Sequence, residues 1–153
     1  MFDPARGAAD PMSVAFDEAR CAGRDGEVPV GAVISLDGRI VATGRNRTRA
    51  ARDPTAHAEM VAIRAAAERL GQDRLAGCDL HVTLEPCTMC AAAISFARIR
   101  RLYFAADDPK GGAVESGVRF FSQPTCHHAP EVYGGLRAGE AASLLRAFFA
   151  ARR

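Results

Sequence analysis

What this sequence lacks narrows it first. Arg, Asp or Gly interrupts every apolar run before the ~20 residues needed to cross a bilayer, so no membrane association is expected. The N-terminus has no basic segment followed by an apolar one, so export is not expected either. The 5 cysteines are odd in number and irregularly spaced, in a chain large enough to need no disulfide staples. Reduced thiols and a cytoplasmic location follow as expectations. Lysine is nearly missing: of 20 basic residues only Lys110 is not arginine. Arginine suits phosphate recognition, but an Ala- and Arg-rich coding habit is the simpler cause, so arginine patches carry little weight alone. A net charge of +2 neither demands nor excludes a polyanionic partner. No internal repeat or linker divides the chain.

With 153 residues, 48% of them hydrophobic, the chain supports one well-buried core, and we expect a single domain over residues 1–153. Residues 1–10 carry little apolar pattern and are expected to be flexible. Met12, Phe16, Ala19 and Gly23 recur at helical spacing after Asp10-Pro11 and predict a first helix. Two β-rich runs, 28–35 and 39–44, flank Asp37-Gly38 and predict an antiparallel hairpin. An Ala-rich helix is expected over 56–70, with Met60, Ile63, Ala67 and Leu70 on its apolar stripe and Gly71 ending it. A strand over 78–84, a helix over 87–97 begun by Pro86, and a strand over 101–106 imply a parallel crossover. Residues 107–130 are rich in Gly and Pro and read as a functional loop with one short helix near 118–121. An edge strand over 131–136 and a terminal helix from Gly139 complete the chain, the latter striped by Ala141, Leu144, Leu145, Phe148 and Phe149.

Two short stretches stand out, His57-Ala58-Glu59 and Pro86-Cys87-Thr88-Met89-Cys90. Zinc takes His nitrogen and Cys sulfur in tetrahedral geometry, and three protein ligands leave the fourth position for water, as catalytic sites do and closed structural sites do not. Cys87 and Cys90 lie three apart at a predicted helix start, where peptide dipoles favour the thiolate. His57 is expected in the first turn of the other helix, so two helix starts would converge on one ion. Residues two apart in mid-helix face different ways; His57 and Glu59 reach one site only if they project from the helix end. Zinc there would acidify a water, and Glu59 is the available carboxylate to take its proton and return it to a leaving amine. The expected product is a carbonyl where an amine stood.

His-Ala-Glu followed by Pro-Cys-x-x-Cys resembles the signature of the zinc-dependent nucleobase deaminases of the cytidine/deoxycytidylate deaminase superfamily. The similarity continues through Glu27–Val33, Asn46, Asp53–Glu59, Val82–Cys87 and the tail Phe148–Arg153, which together look like the bacterial tRNA adenosine deaminases. The resemblance implies an α/β fold of three layers, α/β/α, with a five-stranded mixed sheet in order 2-1-3-4-5. It also implies a homodimer with one zinc per subunit. The implied activity is hydrolytic conversion of the wobble adenosine in a tRNA anticodon stem-loop to inosine, at an amidine C–N bond. Carried over by position, His57, Cys87 and Cys90 would bind zinc and Glu59 would shuttle protons. Asn46 and the backbone near Ala58 would hold the flipped base. Asp107, Asp108 and Lys110 would hold neighbouring nucleotides, while Phe149 and Arg152 on the terminal helix would touch the anticodon.

Other readings stand beside these. A deaminase of a free nucleobase or nucleoside, guanine or cytosine, would share the zinc and proton-shuttle residues and differ in its loops. A non-catalytic zinc fold would lack the shuttle carboxylate, which is present here as Glu59. Cys78 and His81 alternate to opposite faces of their strand and read as core or surface residues. Cys126-His127-His128 is a second metal candidate but reads better as loop. Arg45, Arg47, Arg49 and Arg52 flank Asn46 and either track RNA phosphates or form a solvated loop.

Overall fold

Asp37 and Gly38 both take positive φ, 51° and 77°, the turn geometry that suits the right-handed twist of two paired strands. In the computed structural model, which describes residues 9–152, this turn joins β1 (Gly31–Leu36) to β2 (Arg39–Arg45) in an antiparallel pair. The expectation of a flexible segment over 1–10 lies outside the described residues, apart from Ala9 and Asp10. β1 begins three residues later than the apolar run suggests. Pro29 has no N–H to give a ladder, and the Val30 N–H is used locally by the Val28 carbonyl, at 2.8 Å.

β3 (Cys78–Leu84) pairs antiparallel with the other edge of β1. α3 (Thr88–Ala97) then carries the chain to β4 (Arg101–Ala106), parallel to β3, and β5 (Glu131–Tyr133) adds a second parallel pairing. The order is β2-β1-β3-β4-β5, as expected. β1 is covered on both faces, which explains why it reads as an unbroken apolar run. Alternate residues of it enter different cores. Ile34 joins Leu80, Val82, Ile94, Leu102 and Phe104 under α2 (Ala58–Leu70) and α3. Val33 joins Met12, Phe16 and Ala141 under α1 (Pro11–Arg24) and α4 (Ala138–Ala150). The result is three layers, α/β/α.

Three expectations need correction. The buried stripe of α2 is Ala58, Ala62 and Ala66 rather than Met60, Ile63, Ala67 and Leu70, which are only half-buried. The helix lies so close to β2 that a side chain on Gly44 would strike the Ala58 carbonyl and come within 2.7 Å of the Ala62 nitrogen, so only small residues fit the contact. β5 stops after three residues because Gly134 sits against the Phe104 ring with no room for a Cβ and Gly135 takes φ 87°. The stripe of α4 is divided: Ala141 enters the core, whereas Phe149 is 49% exposed. In the long loop, a 3₁₀ turn over Phe120–Ser122 is the short helix foreseen there.

Candidate active site

Local hydrogen bonding delivers His57. The Asp53 carboxylate accepts both the backbone N–H and the hydroxyl of Thr55, at 2.8 and 2.7 Å, forming the turn that leads into α2. His57 then stands at the N-cap with extended backbone, ψ 154°, one residue short of the helical turn expected for it. That placement frees its ring from the helix face. Cys87 occupies the N-cap of α3 in the same way, ψ 176°, and Cys90 follows in the first turn. The two helix starts converge, and the Nδ1 of His57 lies 3.6 Å from Cys87 Sγ and 3.5 Å from Cys90 Sγ.

Those separations test the fit to zinc. With Zn–S near 2.3 Å and Zn–N near 2.0–2.1 Å, tetrahedral angles place sulfur and nitrogen about 3.5–3.6 Å apart. All three donor atoms lie within 4.8 Å of one another, and theirs is the only such cluster among the described residues. A harder oxygen-loving cation would not select two sulfurs and a nitrogen. The donors and their spacing fit zinc.

The groups of the cluster shift one another's affinity for protons. The Cys87 thiol is pushed down to about 4, first by a hydrogen bond from Cys90 and next by His57. The same bond, with burial, pushes Cys90 up, and contact with Cys87 raises His57. Burial lifts the Glu59 carboxyl to about 7. Glu59 is 4% exposed, in the first turn of α2.

A cavity of about 310 Å³ opens on this cluster, walled by Val28, Val30, Asn46, His57, Ala58, Glu59, Leu84, Glu85, Cys87, Asp108 and Gly111. Asn46 Oδ1 is buried in that wall and has no hydrogen-bond partner among the described residues. A second cavity of about 830 Å³ shares Val28, Leu84, Asp108 and Gly111 with the first and adds Asp107, Lys110, Leu145, Phe149 and Arg152. Every residue predicted for the substrate therefore lines one of two adjoining spaces. Arg47, Arg49 and Arg52 are exposed beside Asn46, but Arg45 is not available to a ligand: it pairs with Glu18 and Asp25, at 3.1 and 3.4 Å.

Cys126 and His128 act as a latch. Cys126 Sγ meets Ser95 Oγ at 3.6 Å, and His128 Nε2 lies 2.8 Å from the Ile99 carbonyl, so these side chains are turned onto α3 and the segment after it. Two buried glutamates were missed by sequence reasoning. Glu27 accepts the Arg49 and Ala50 N–H groups at 3.1 and 2.8 Å, fastening the loop that follows Asn46. Glu85 receives hydrogen bonds from Asp108, Val114, Glu115 and Ser116, and those bonds overcome burial to hold its carboxyl below the usual range. The available signal was a carboxylate at the apolar end of β3, directly before Pro86-Cys87.

Known proteins are similar to this chain in sequence and fold. Over 142 residues, 93% of each chain, the sequence is 68% identical to the tRNA-specific adenosine deaminase of Agrobacterium fabrum. A solved tRNA:A34 deaminase, studied for A-to-I editing at the wobble position of transfer RNA, shares 69% identity. Its TM-score is 0.87, over 88% of this chain and 98% of that one. The guanine deaminase of Bacillus subtilis is more distant, at 32% identity and TM-score 0.64 over 99% of this chain and 94% of the other. Residues 8–106 match the family described as the cytidine and deoxycytidylate deaminase zinc-binding region. With its zinc-fitting triad, its sheet order and relatives this similar along nearly their whole length, the chain belongs to that zinc-dependent deaminase family, among its tRNA-specific adenosine deaminases.

Proposed function

We propose that this protein hydrolyses the wobble adenosine of a tRNA anticodon stem-loop to inosine, releasing ammonia. The observation that carries this reading is the joining of the two cavities. The inner one is sized for a single base and ends at His57, Glu59, Cys87 and the unpartnered Asn46 oxygen. The outer one continues it past Lys110, Phe149 and Arg152, a cation and an aromatic ring beside a second cation. A flipped base fits the first, and its neighbours on the strand fit the second through phosphate contact and stacking.

His57, Cys87 and Cys90 would hold one zinc, which when bound supplies an acidified water and a Lewis acid. The chain's own groups do the rest. Asn46 Oδ1 accepts a hydrogen bond from the base, which satisfies an otherwise orphaned buried acceptor. Glu59 takes the proton of the attacking water and passes it to the adjacent ring nitrogen, then takes the remaining hydroxyl proton of the adduct and gives it to the amine, which leaves as ammonia as the C=O forms. Burial, which raises its carboxyl to about 7, suits a group that must both accept and donate near neutrality.

The protein acts as a homodimer in this reading, supported by family resemblance and by Phe96 of α3, which is 68% exposed and available to a second copy. Five free cysteines suit the reducing cytoplasm. No described helix is long and apolar enough to cross a membrane. Zinc-loaded protein incubated with a tRNA carrying wobble adenosine is expected to produce inosine. The second reading, a free-base deaminase, is favoured by the likeness to guanine deaminase; rapid turnover of guanine or cytosine with no inosine in tRNA would establish it instead.

A further inference from the structure

One wall of the inner cavity is the loop after β4, whose residues Asp108 and Gly111 lie outside any helix or strand, and yet that wall is densely bonded. Its anchor is Glu85, the last buried side chain before the Pro-Cys of the zinc triad, 2% exposed. Oε1 accepts the Asp108 N–H and the Ser116 hydroxyl, both at 2.9 Å. Oε2 accepts three successive N–H groups, Val114, Glu115 and Ser116, at 3.0, 2.8 and 2.9 Å. The main chain repeats the connection: the Glu85 N–H meets the Ala106 carbonyl at 2.8 Å, and the Ala113 N–H meets the Pro86 carbonyl at 2.9 Å.

We infer that Glu85 is a positioning residue for the substrate, holding the Asp108–Gly111 wall of the base cavity in register with Cys87. The inference rests on the deaminase reading and adds a residue to it. The connection runs through Asp108. Its N–H is held by Glu85, and its own Oδ1 accepts the Lys110 and Gly111 N–H groups at 3.2 and 3.1 Å, which shapes the turn. Gly111 faces both cavities and Lys110 the outer one. The packing leaves no slack: a Cβ on Gly112 would lie 2.5 Å from both Glu85 Cδ and the Asp108 carbonyl oxygen. A carboxylate serves here where an amide does not, because both oxygens must accept.

Glu85→Gln tests this with little change of shape. Its single oxygen can serve the 114–116 amides, but its NH2 then faces the Asp108 N–H, donor against donor. Charge-assisted bonds of this kind, once lost, are expected to speed local amide exchange roughly tenfold or more. Hydrogen exchange of the zinc-loaded variant should therefore quicken at residues 108–111, with β3, α3 and zinc stoichiometry unaltered. KM for tRNA should rise several-fold with a smaller change in kcat, the pattern of lost substrate positioning. Gly112→Ala, which pushes on the same contact from the loop side, should give the same split, and it serves if Glu85→Gln does not fold. Unaltered exchange at 108–111, or a fall in kcat at constant KM, overturns the inference. So does exchange that rises throughout the sheet with zinc loss, since that marks general support of the fold. If the wild-type protein deaminates a free base and not tRNA, the functional reading fails by itself. The exchange map, and KM measured on that base, then still decide the role of Glu85.

Discussion

At the scale of single residues, the site separates groups that chemistry demands from groups that geometry demands. Glu59 belongs to the first kind: it is buried beside the triad, whereas the inner cavity's other carboxylates, Glu85 and Asp108, accept backbone N–H groups of the loop after β4. Replacing it with Gln should lower kcat by about 10²–10⁴-fold, the usual worth of a positioned acid–base group, while zinc content stays at one per chain. Retained activity in zinc-replete Glu59→Gln would show that the proton carrier is elsewhere. His81 shows a titration that belongs to stability rather than catalysis. It stacks on Tyr103 at 4.8 Å and meets Ser35 Oγ at 3.1 Å. Burial lowers its pKa from 6.5, against the pull of Asp79 and Asp10. The unfolded chain therefore takes up a proton that the folded one refuses as pH falls below about 6.5. Acid should erode stability in that window, and His81→Asn should flatten the fall in Tm between pH 7 and 5; parallel curves for the two proteins would remove His81 from the account.

At the scale of elements, helix ends rather than helix faces build the centre. His57 and Cys87 are both N-caps with extended backbone, so each side chain leaves its helix in a direction no mid-helix residue can take. Gly71 closes α2 in the left-handed conformation, as its position in the sequence implies. What sets the height of α2 above the sheet is Gly44, since any Cβ there meets the Ala58 carbonyl. Gly44→Ala should cost about 1–3 kcal/mol as overpacking, and because Ala58 adjoins His57 the same shift should weaken zinc retention. Thermal unfolding and a competitive chelator titration report the two effects; loss of stability with unaltered zinc affinity would mean that the helix start does not follow the helix.

At the scale of the whole molecule, the three layers bring distant segments to one opening. The loop after β2, the loop after β4 and the end of α4 are far apart along the chain and adjacent around the two cavities. Lys110 and Arg152 are the outer cavity's cations. Each released counterion adds close to one to the slope of log affinity against log salt, about 0.7 for single-stranded contacts. Lys110→Ala and Arg152→Ala should each reduce that slope for tRNA by roughly this amount, with little effect on turnover of a free base. An unaltered slope in both variants would place the backbone contacts on another surface, with Arg47, Arg49 and Arg52 the next to test.

Much of this is legible in the sequence because it is local. Asp37-Gly38 prescribes its turn, Gly71 its helix end, and the spacing of Cys87 and Cys90 puts two sulfurs at one helix start. The combination of His57, Glu59 and two cysteines points to a metal and to the proton carrier proposed above, by residue chemistry together with family resemblance. Long-range proximity is another matter, since nothing in the pattern near Glu85 states that its oxygens meet amides 23 to 31 residues away. Likewise Arg45 has the sequence setting of Arg47 and Arg49, and only the packing of α1 against β2 turns it to Glu18 and Asp25. Most elements and the reactive groups follow from local sequence, because propensity, capping and ligand chemistry act over a few residues. Which wall each group occupies follows from the packed fold, because burial and hydrogen-bond closure are settled by segments that meet in space.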